Sequence, residues 1–346
     1  MNTKRCFTLL AGLLLPAGCA PAAVNPHVAY TVSIPYAGPM VFDGTYMWVA
    51  SFDLITAVNP ATGAIVASQS ILGTQFIAYD APTGTLWLEG GSQNVQINKV
   101  NAQQVIANQG SAPVDSIAFG GSLPTGLALD SSPSGRNVWA AAGAVLTIVD
   151  MGTLKVVNTI STPDGFAITQ INEAPSLAGM LVSTSGFVGT QSVENVWFYG
   201  PAGAWTWESP YPQLDLSPGA WDGPMNAQFW GEAGDGALYK YVFPRLGENG
   251  EVVQYTLILT DATDEDALHI GGISGVAVDA RSALLLVARQ EVDVPNQVYF
   301  VSANYGPGAH EVPGVTVPGA ELTAFGGGLA WASSPGSAGG VTAMTY

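Results

Sequence analysis

The sequence predicts an all-β fold, a seven-bladed β-propeller of four-stranded blades. Three observations predict it: abundant turn residues, a recurring strand-turn-strand unit, and chain ends that fall out of phase with that unit. The 346 residues include 42 Gly and 23 Pro. They are scattered without a G-X-Y period, which calls for many turns between short elements rather than long helices. Hydrophobic residues make up 48% and charged residues only 10%, far from the polar, highly charged profile of disorder, so the chain can bury a sizeable core.

The unit is an apolar strand ending in Asp or Asn, a turn, and a second strand opening on an aliphatic or aromatic pair. It reads Val41-Phe42-Asp43 then Met47-Trp48-Val49, Ala78-Tyr79-Asp80 then Leu86-Trp87-Leu88, and Leu127-Ala128-Leu129-Asp130 then Val138-Trp139-Ala140. A fourth copy is Gln170-Ile171-Asn172 then Met180-Leu181-Val182. Looser copies are Gln228-Phe229-Trp230 before Leu238-Tyr239, Val276-Ala277-Val278-Asp279 before Leu284-Leu285-Leu286, and Ala324-Phe325 before Leu329-Ala330-Trp331. The turns recur about every 47 residues, a spacing typical of propeller blades. Third and fourth strands follow across polar turns such as Asn59-Pro60-Ala61-Thr62-Gly63, whose Pro and Gly are turn chemistry. Four short strands per unit make a blade.

The ends give a separate argument. The last strand, Val341 to Tyr346, is only the third of its blade, and Val28 to Ile34 lies ahead of the first strand of blade one. Pairing the N-terminal strand with the last blade closes the ring and removes both sheet edges. The propeller domain is therefore expected over 27–346.

Residues 1–22 read as a signal peptide. Lys4 and Arg5 form the basic start, Phe7 to Leu15 the apolar run, and Ala17-Gly18-Cys19-Ala20 the small-residue end, the three-part layout of a secretory signal. Leu15-Pro16-Ala17-Gly18-Cys19 resembles a bacterial lipobox, which implies cleavage before Cys19 and lipid attachment to it. Ordinary cleavage after Ala22 or Ala23 has the same small-x-small form. The expected address is a membrane-anchored lipoprotein facing the periplasm or exterior, or else a secreted protein.

The segments Leu127-Ala128-Leu129-Asp130, Val138-Trp139-Ala140-Ala141, Leu146-Thr147-Ile148-Val149-Asp150 and Leu154-Lys155-Val156-Val157-Asn158-Thr159-Ile160 resemble the repeat of YVTN-type seven-bladed propellers of exported bacterial proteins. The resemblance implies the fold. It leaves function open, since propellers of this kind include lactonases, streptogramin lyases, quinone-dependent dehydrogenases and plain binding scaffolds.

Composition narrows the choice. The chain has 9 Lys and Arg against 26 Asp and Glu, a formal charge of −17 and no basic run, which leaves no footprint for nucleic acid. Membrane contact is expected only through the N-terminal lipid. Both cysteines lie in the first nineteen residues, so no disulfide framework or Cys-based metal site is expected in the body. No G-x-S-x-G nucleophile elbow occurs. The docking Trp of a quinone site does not follow Thr62-Gly63, and the three histidines, His27, His269 and His310, are not spaced to converge.

Two constellations remain. Asp261, Asp264, Glu265 and Asp266 form an oxygen-rich cluster that could hold Ca²⁺, although a solvated acidic connection explains it as well. Aromatics crowd between Trp197 and Phe243. Tyr211, Trp221 and Trp230 are the candidate platform for a protein, small-molecule or carbohydrate ligand, with Tyr211 and Trp221 placed in a Pro-rich connection. The sequence thus favours a binding or scaffold protein of the cell envelope without catalytic residues. The alternative is a metal-assisted lyase or lactonase at the mouth of the central channel.

Overall fold

The computed structural model describes residues 25–91, 95–120, 123–130, 136–174, 179–200, 205–208, 216–222, 227–232, 238–242, 273–289, 296–302 and 314–346. Cys19, Tyr211, Asp261, Asp264, Glu265 and Asp266 lie outside them.

Strand β1 (His27–Ser33) opens the described chain but does not join the first blade. That blade is β2 (Met40–Phe42), β3 (Met47–Ser51), β4 (Leu54–Val58) and β5 (Ile65–Ser70). The second is β6 (Thr74–Asp80), β7 (Thr85–Gly90), β8 (Val95–Asn101) and β9 (Val114–Phe119), with a short helix α1 (Ala102–Ala107) between its last two strands. The third is β10 (Pro124–Asp130), β11 (Asn137–Ala142), β12 (Val145–Asp150) and β13 (Lys155–Ser161). The fourth is β14 (Ala167–Ala174), β15 (Gly179–Val188), β16 (Gln191–Tyr199) and β17 (Trp205–Glu208).

A three-stranded sheet follows, β18 (Leu216–Asp222), β19 (Ala227–Glu232) and β20 (Leu238–Val242). Then come a four-stranded blade of β21 (Ile273–Asp279), β22 (Leu284–Arg289), β23 (Gln297–Ser302) and β24 (Gly314–Thr316), and a closing blade of β25 (Leu322–Gly326), β26 (Leu329–Ser334) and β27 (Gly340–Thr345). The closing blade takes β1 as its fourth strand, in the order β1-β27-β26-β25, with His27 opposite Thr345 and Ser33 opposite Gly340.

The protein is an all-β propeller with six complete four-stranded blades, where the sequence predicts seven. The remaining sheet has three strands among the described residues, and its strand β18 lies against β14 and β21. Its phase also corrects the sequence reading. Gln228-Phe229-Trp230 is not the first strand of its unit but lies on β19, the middle strand. The first strand is β18, which the sequence reading takes for a connection because it contains Pro218. The β18–β19 register shifts between Leu216 and Gly219, and such an irregularity tolerates a proline that cannot donate to the ladder. Trp221 therefore sits on a strand, opposite Gln228, and Trp230 opposite Gly219.

Blade-to-blade packing follows from one repeated pair. On the second strands, Trp48, Trp87, Trp139 and Trp331 face Val41, Ala78, Ala128 and Ala324 on the first strands. An Ala partner, present in three of the four pairs, leaves room beside the indole. Each ring is buried against the next blade: Trp48 with Leu86 and Leu88, Trp87 with Val138 and Val149, Trp139 with Ile168 and Ile171, and Trp331 with Met47 and Val49. The helix α1 is an addition the sequence pattern did not announce. It is capped by Asn101, whose side chain accepts from the Gln104 N–H at 3.0 Å, the usual N-cap contact.

Candidate functional site

The ring has two faces, one where the inner strands begin and one where they end in hairpins. Strand β1 runs between them, from His27 at the hairpin face to Ser33 at the start face. There the chain turns through Pro35 and Tyr36 towards β2. Tyr36 has a left-handed backbone (φ 57°) and donates its N–H to the Gly336 carbonyl at 2.7 Å. A non-glycine residue in this region stores about 1 kcal/mol or more of strain, so the turn is held by its surroundings, and it carries an aromatic ring outward.

That ring stands at the rim of a groove of about 620 Å³ along the seam between the closing strand and the outer strands of the first blade. Tyr36 is 56% exposed, Phe52 57%, Leu54 41% and Ile65 50%, and all four line the groove. Single exposed apolar side chains are ordinary, but a contiguous set lining a concavity marks an interaction surface. The groove holds one carboxylate, Asp53, with Ser33, Ser51, Thr56 and Ser68 as its polar lining.

Tyr30 of the closing strand reaches the first blade at the Asn59–Gly63 turn. The Tyr30 hydroxyl donates to the Pro60 carbonyl at 2.6 Å, and its ring covers Gly63, where a Cβ would come within 2.8 Å of it. Gly63 (φ 70°) ends the Asn59–Gly63 turn, whose Asn59 side chain accepts from the Ala61 N–H at 2.9 Å, the hairpin chemistry the sequence predicts.

A second feature lies where the inner strands begin. The ladders of β6, β10, β14 and β21 all slip at the same place, leaving Gln75, Thr125, Thr169 and Ser274 as extra residues. Bulges re-aim side chains and recur at functional rims. The hydroxyl oxygens of Thr125, Thr169 and Ser274 are buried with no hydrogen-bond partner in the protein. Opposite the first residue after the bulge, three second strands carry small residues, Ala141, Ser183 and Ala288, but β7 carries Glu89.

Glu89 is completely buried, and neither carboxyl oxygen makes a well-formed hydrogen bond. Burial pushes its pKa well above the usual carboxylate range, and the Gly126 backbone N–H offsets only part of that. By contrast Asp164, at the same face, is held below the usual range. Burial raises it, but hydrogen bonds from Asn195 Nδ2 (2.9 Å), Thr184 Oγ1 (2.7 Å), the Phe166 N–H (2.9 Å) and Trp197 Nε1 (3.0 Å) outweigh that cost. Asp164 is a structural clamp between β15, β16 and the turn into β14.

Of the residues the sequence singles out, Trp221 and Trp230 lie on adjacent strands of the three-stranded sheet, and the others fall outside the described residues. Among the described residues no group of three or more His, Cys, Asp or Glu is placed to hold a metal. His27 is the first residue of β1, beside the Thr345 hydroxyl. The groove is missing from the sequence reading. The signal that could have found it is Ser51-Phe52-Asp53-Leu54, a two-residue turn that carries a Phe where polar residues are the norm, with a Leu directly after it.

No protein-family model matches the chain, and no curated protein matches it. Solved structures do. The β-propeller domain of Cps50 (Swd1) from Myceliophteria thermophila superposes with a TM-score of 0.72 at 10% identity, covering 93% of this chain and 100% of that one. Hydrazine synthase of Kuenenia stuttgartiensis superposes at 0.66 and 14% identity, covering 88% and 94%. At such identities the likeness is one of fold.

Proposed function

We propose that the protein is an exported, lipid-anchored, seven-bladed propeller that acts as a binding protein in the bacterial cell envelope and takes its partner in the groove between β1 and the first blade. The sheet β18-β19-β20 is read as the fifth of seven blades, a reading supported by its position against β14 and β21.

One observation carries the binding role: the exposed set of Tyr36, Phe52, Leu54 and Ile65 along one concavity. The partner is a polypeptide segment with an apolar centre and Lys or Arg flanks. Its centre covers the exposed side chains, and its flanks suit Asp53 and a chain with 26 acids against 9 bases. The geometry also suits a tether at Cys19. His27 begins β1 at the hairpin face, whereas Ser33 and Tyr36 bring the groove to the other, so an anchored ring would hold that end of the groove away from the membrane.

Two measurements test this reading. The mass of the mature protein recovered from membranes should equal a chain beginning at a lipidated Cys19, and an unmodified start at Ala23 or Val24 contradicts the anchor. Nile red should fluoresce on binding the folded protein and lose most of that signal in Phe52→Asp. An unchanged signal would mean that the groove does not offer an apolar site.

A second reading, a metal-assisted lyase or lactonase at the channel mouth, draws support from Glu89 and the unpartnered hydroxyls of Thr125, Thr169 and Ser274. Stoichiometric Ca²⁺ or Mg²⁺ in the purified protein, lost in Glu89→Gln, would favour it over the binding role.

A further inference from the structure

Two of the chain's nine Lys and Arg residues, Lys99 and Arg136, meet in a cavity of about 420 Å³ between the second and third blades at the hairpin face. The carboxylates in its wall are already engaged. Asp80 Oδ2 accepts from Arg136 and from the Thr83 hydroxyl, and Asp150 Oδ1 accepts from the Thr153 N–H and hydroxyl, both at 2.7 Å. Arg136 forms an ion pair with Asp80, and Lys99 forms none among the described residues. The Lys99 ammonium stands 5.6 Å from the centre of the Trp87 ring.

The second free donor is Trp87 itself. In the first blade Trp48 Nε1 donates to Asp43 Oδ2 at 2.7 Å. Asp43 lies two residues beyond Val41, the cross-strand partner of Trp48, and Asp80 lies two beyond Ala78, the partner of Trp87. Asp80 is thus the counterpart of Asp43, but it is drawn to Arg136, and Trp87 Nε1 is left buried without a partner. A buried donor without an acceptor is costly, typically about 1–3 kcal/mol, and the residue that carries it lines the same cavity as Lys99.

We propose that this cavity binds a small monocarboxylate, whose oxygens accept from the Trp87 indole N–H and the Lys99 ammonium while its apolar part rests among Trp87 and Met151. A carboxylate offers two oxygens to the two donors of these neighbouring side chains, and charge-assisted hydrogen bonds are the strong ones. A phosphate dianion is disfavoured, because Asp80 and Asp150 stand in the same wall and repel a second negative charge.

The test uses benzoate as probe and benzamide as its neutral counterpart, read from the indole ¹H–¹⁵N resonance of Trp87, assigned with Trp87→Phe. Benzoate should shift that resonance saturably and benzamide should not. Lys99→Met should weaken benzoate about tenfold, the scale of one charge-assisted hydrogen bond, and Arg281→Met, a charge removed from an exposed hairpin elsewhere, should leave it unchanged. The proposal is overturned by the absence of a saturable shift, by an equal response to benzamide, or by equal losses in the two variants. The benzamide comparison needs no variant, so it stands even if Lys99→Met does not fold.

Discussion

The Tyr30 hydroxyl donates to the Pro60 carbonyl at 2.6 Å, while the Tyr30 ring meets Trp331 edge-on with centroids 5.9 Å apart. One side chain of the closing strand thus fastens the first blade to the last. Burial raises the pKa of its phenol, as expected for a hydroxyl used as a donor in a dry seam.

Tyr30→Phe should therefore cost about 1 kcal/mol, the net worth of one hydrogen bond. Gly63→Ala should cost more, since it adds a Cβ 2.8 Å from the Tyr30 ring at a left-handed position. Urea unfolding midpoints of the two variants check both the sign and the order.

Gly275 marks a close approach of inner strand β21 to the start of β25. A Cβ there would sit 2.5 Å from the Glu321 carbonyl oxygen, and backbone cannot swing aside as a flexible side chain can. Gly275→Ala should destabilise by about 1–3 kcal/mol, the usual penalty of overpacking. Gly120→Ala, which meets nothing within 4 Å, should be near neutral. Thermal melts of the pair separate crowding from a general effect of losing glycine.

The closure of the ring was legible because chain ends out of phase with a repeat leave few ways to pair them, and β1 does pair with β27. The tryptophans at one position of the second strand were legible from the repeat itself. The fifth unit was misread because Pro218 argues against a strand unless a register slip is known in advance. The groove was not legible because residues 33–36, 51–54 and 65–68 meet only when the first and last strands of the fold lie side by side. Glu89 looked like an ordinary strand residue until the register placed it opposite Phe76, where other blades keep Ala or Ser.

Glu89 makes a prediction about pH. Its pKa is raised in the folded state, so the fold binds its proton more tightly than the unfolded chain does. The associated stability is fully present below the unfolded glutamate pKa, and it declines as pH rises from there towards the folded value. Glu89→Gln has no such proton, so its stability relative to wild type should improve as pH rises above about 4, the unfolded glutamate value, and level off once pH passes the folded one. Urea titrations of the two proteins across that range check it, and a constant difference would mean that Glu89 does not titrate as a buried acid.

Asp164 should behave in the opposite sense. Its folded pKa is lowered, so its contribution is present above the unfolded aspartate pKa and fades as pH falls through the folded value. Asp164→Ala strands the donors of Thr184, Asn195 and Trp197. It should cost about 3 kcal/mol at neutral pH and much less in acid, as denaturation at two pH values would show.

The most direct test of the binding role is selection from a random peptide library on the mature protein. Sequences with an apolar centre and Lys or Arg flanks should be enriched, and their binding should be lost in Phe52→Asp and Ile65→Asp with the fold intact. Failure to enrich such sequences, or binding that survives both substitutions, would contradict the binding role.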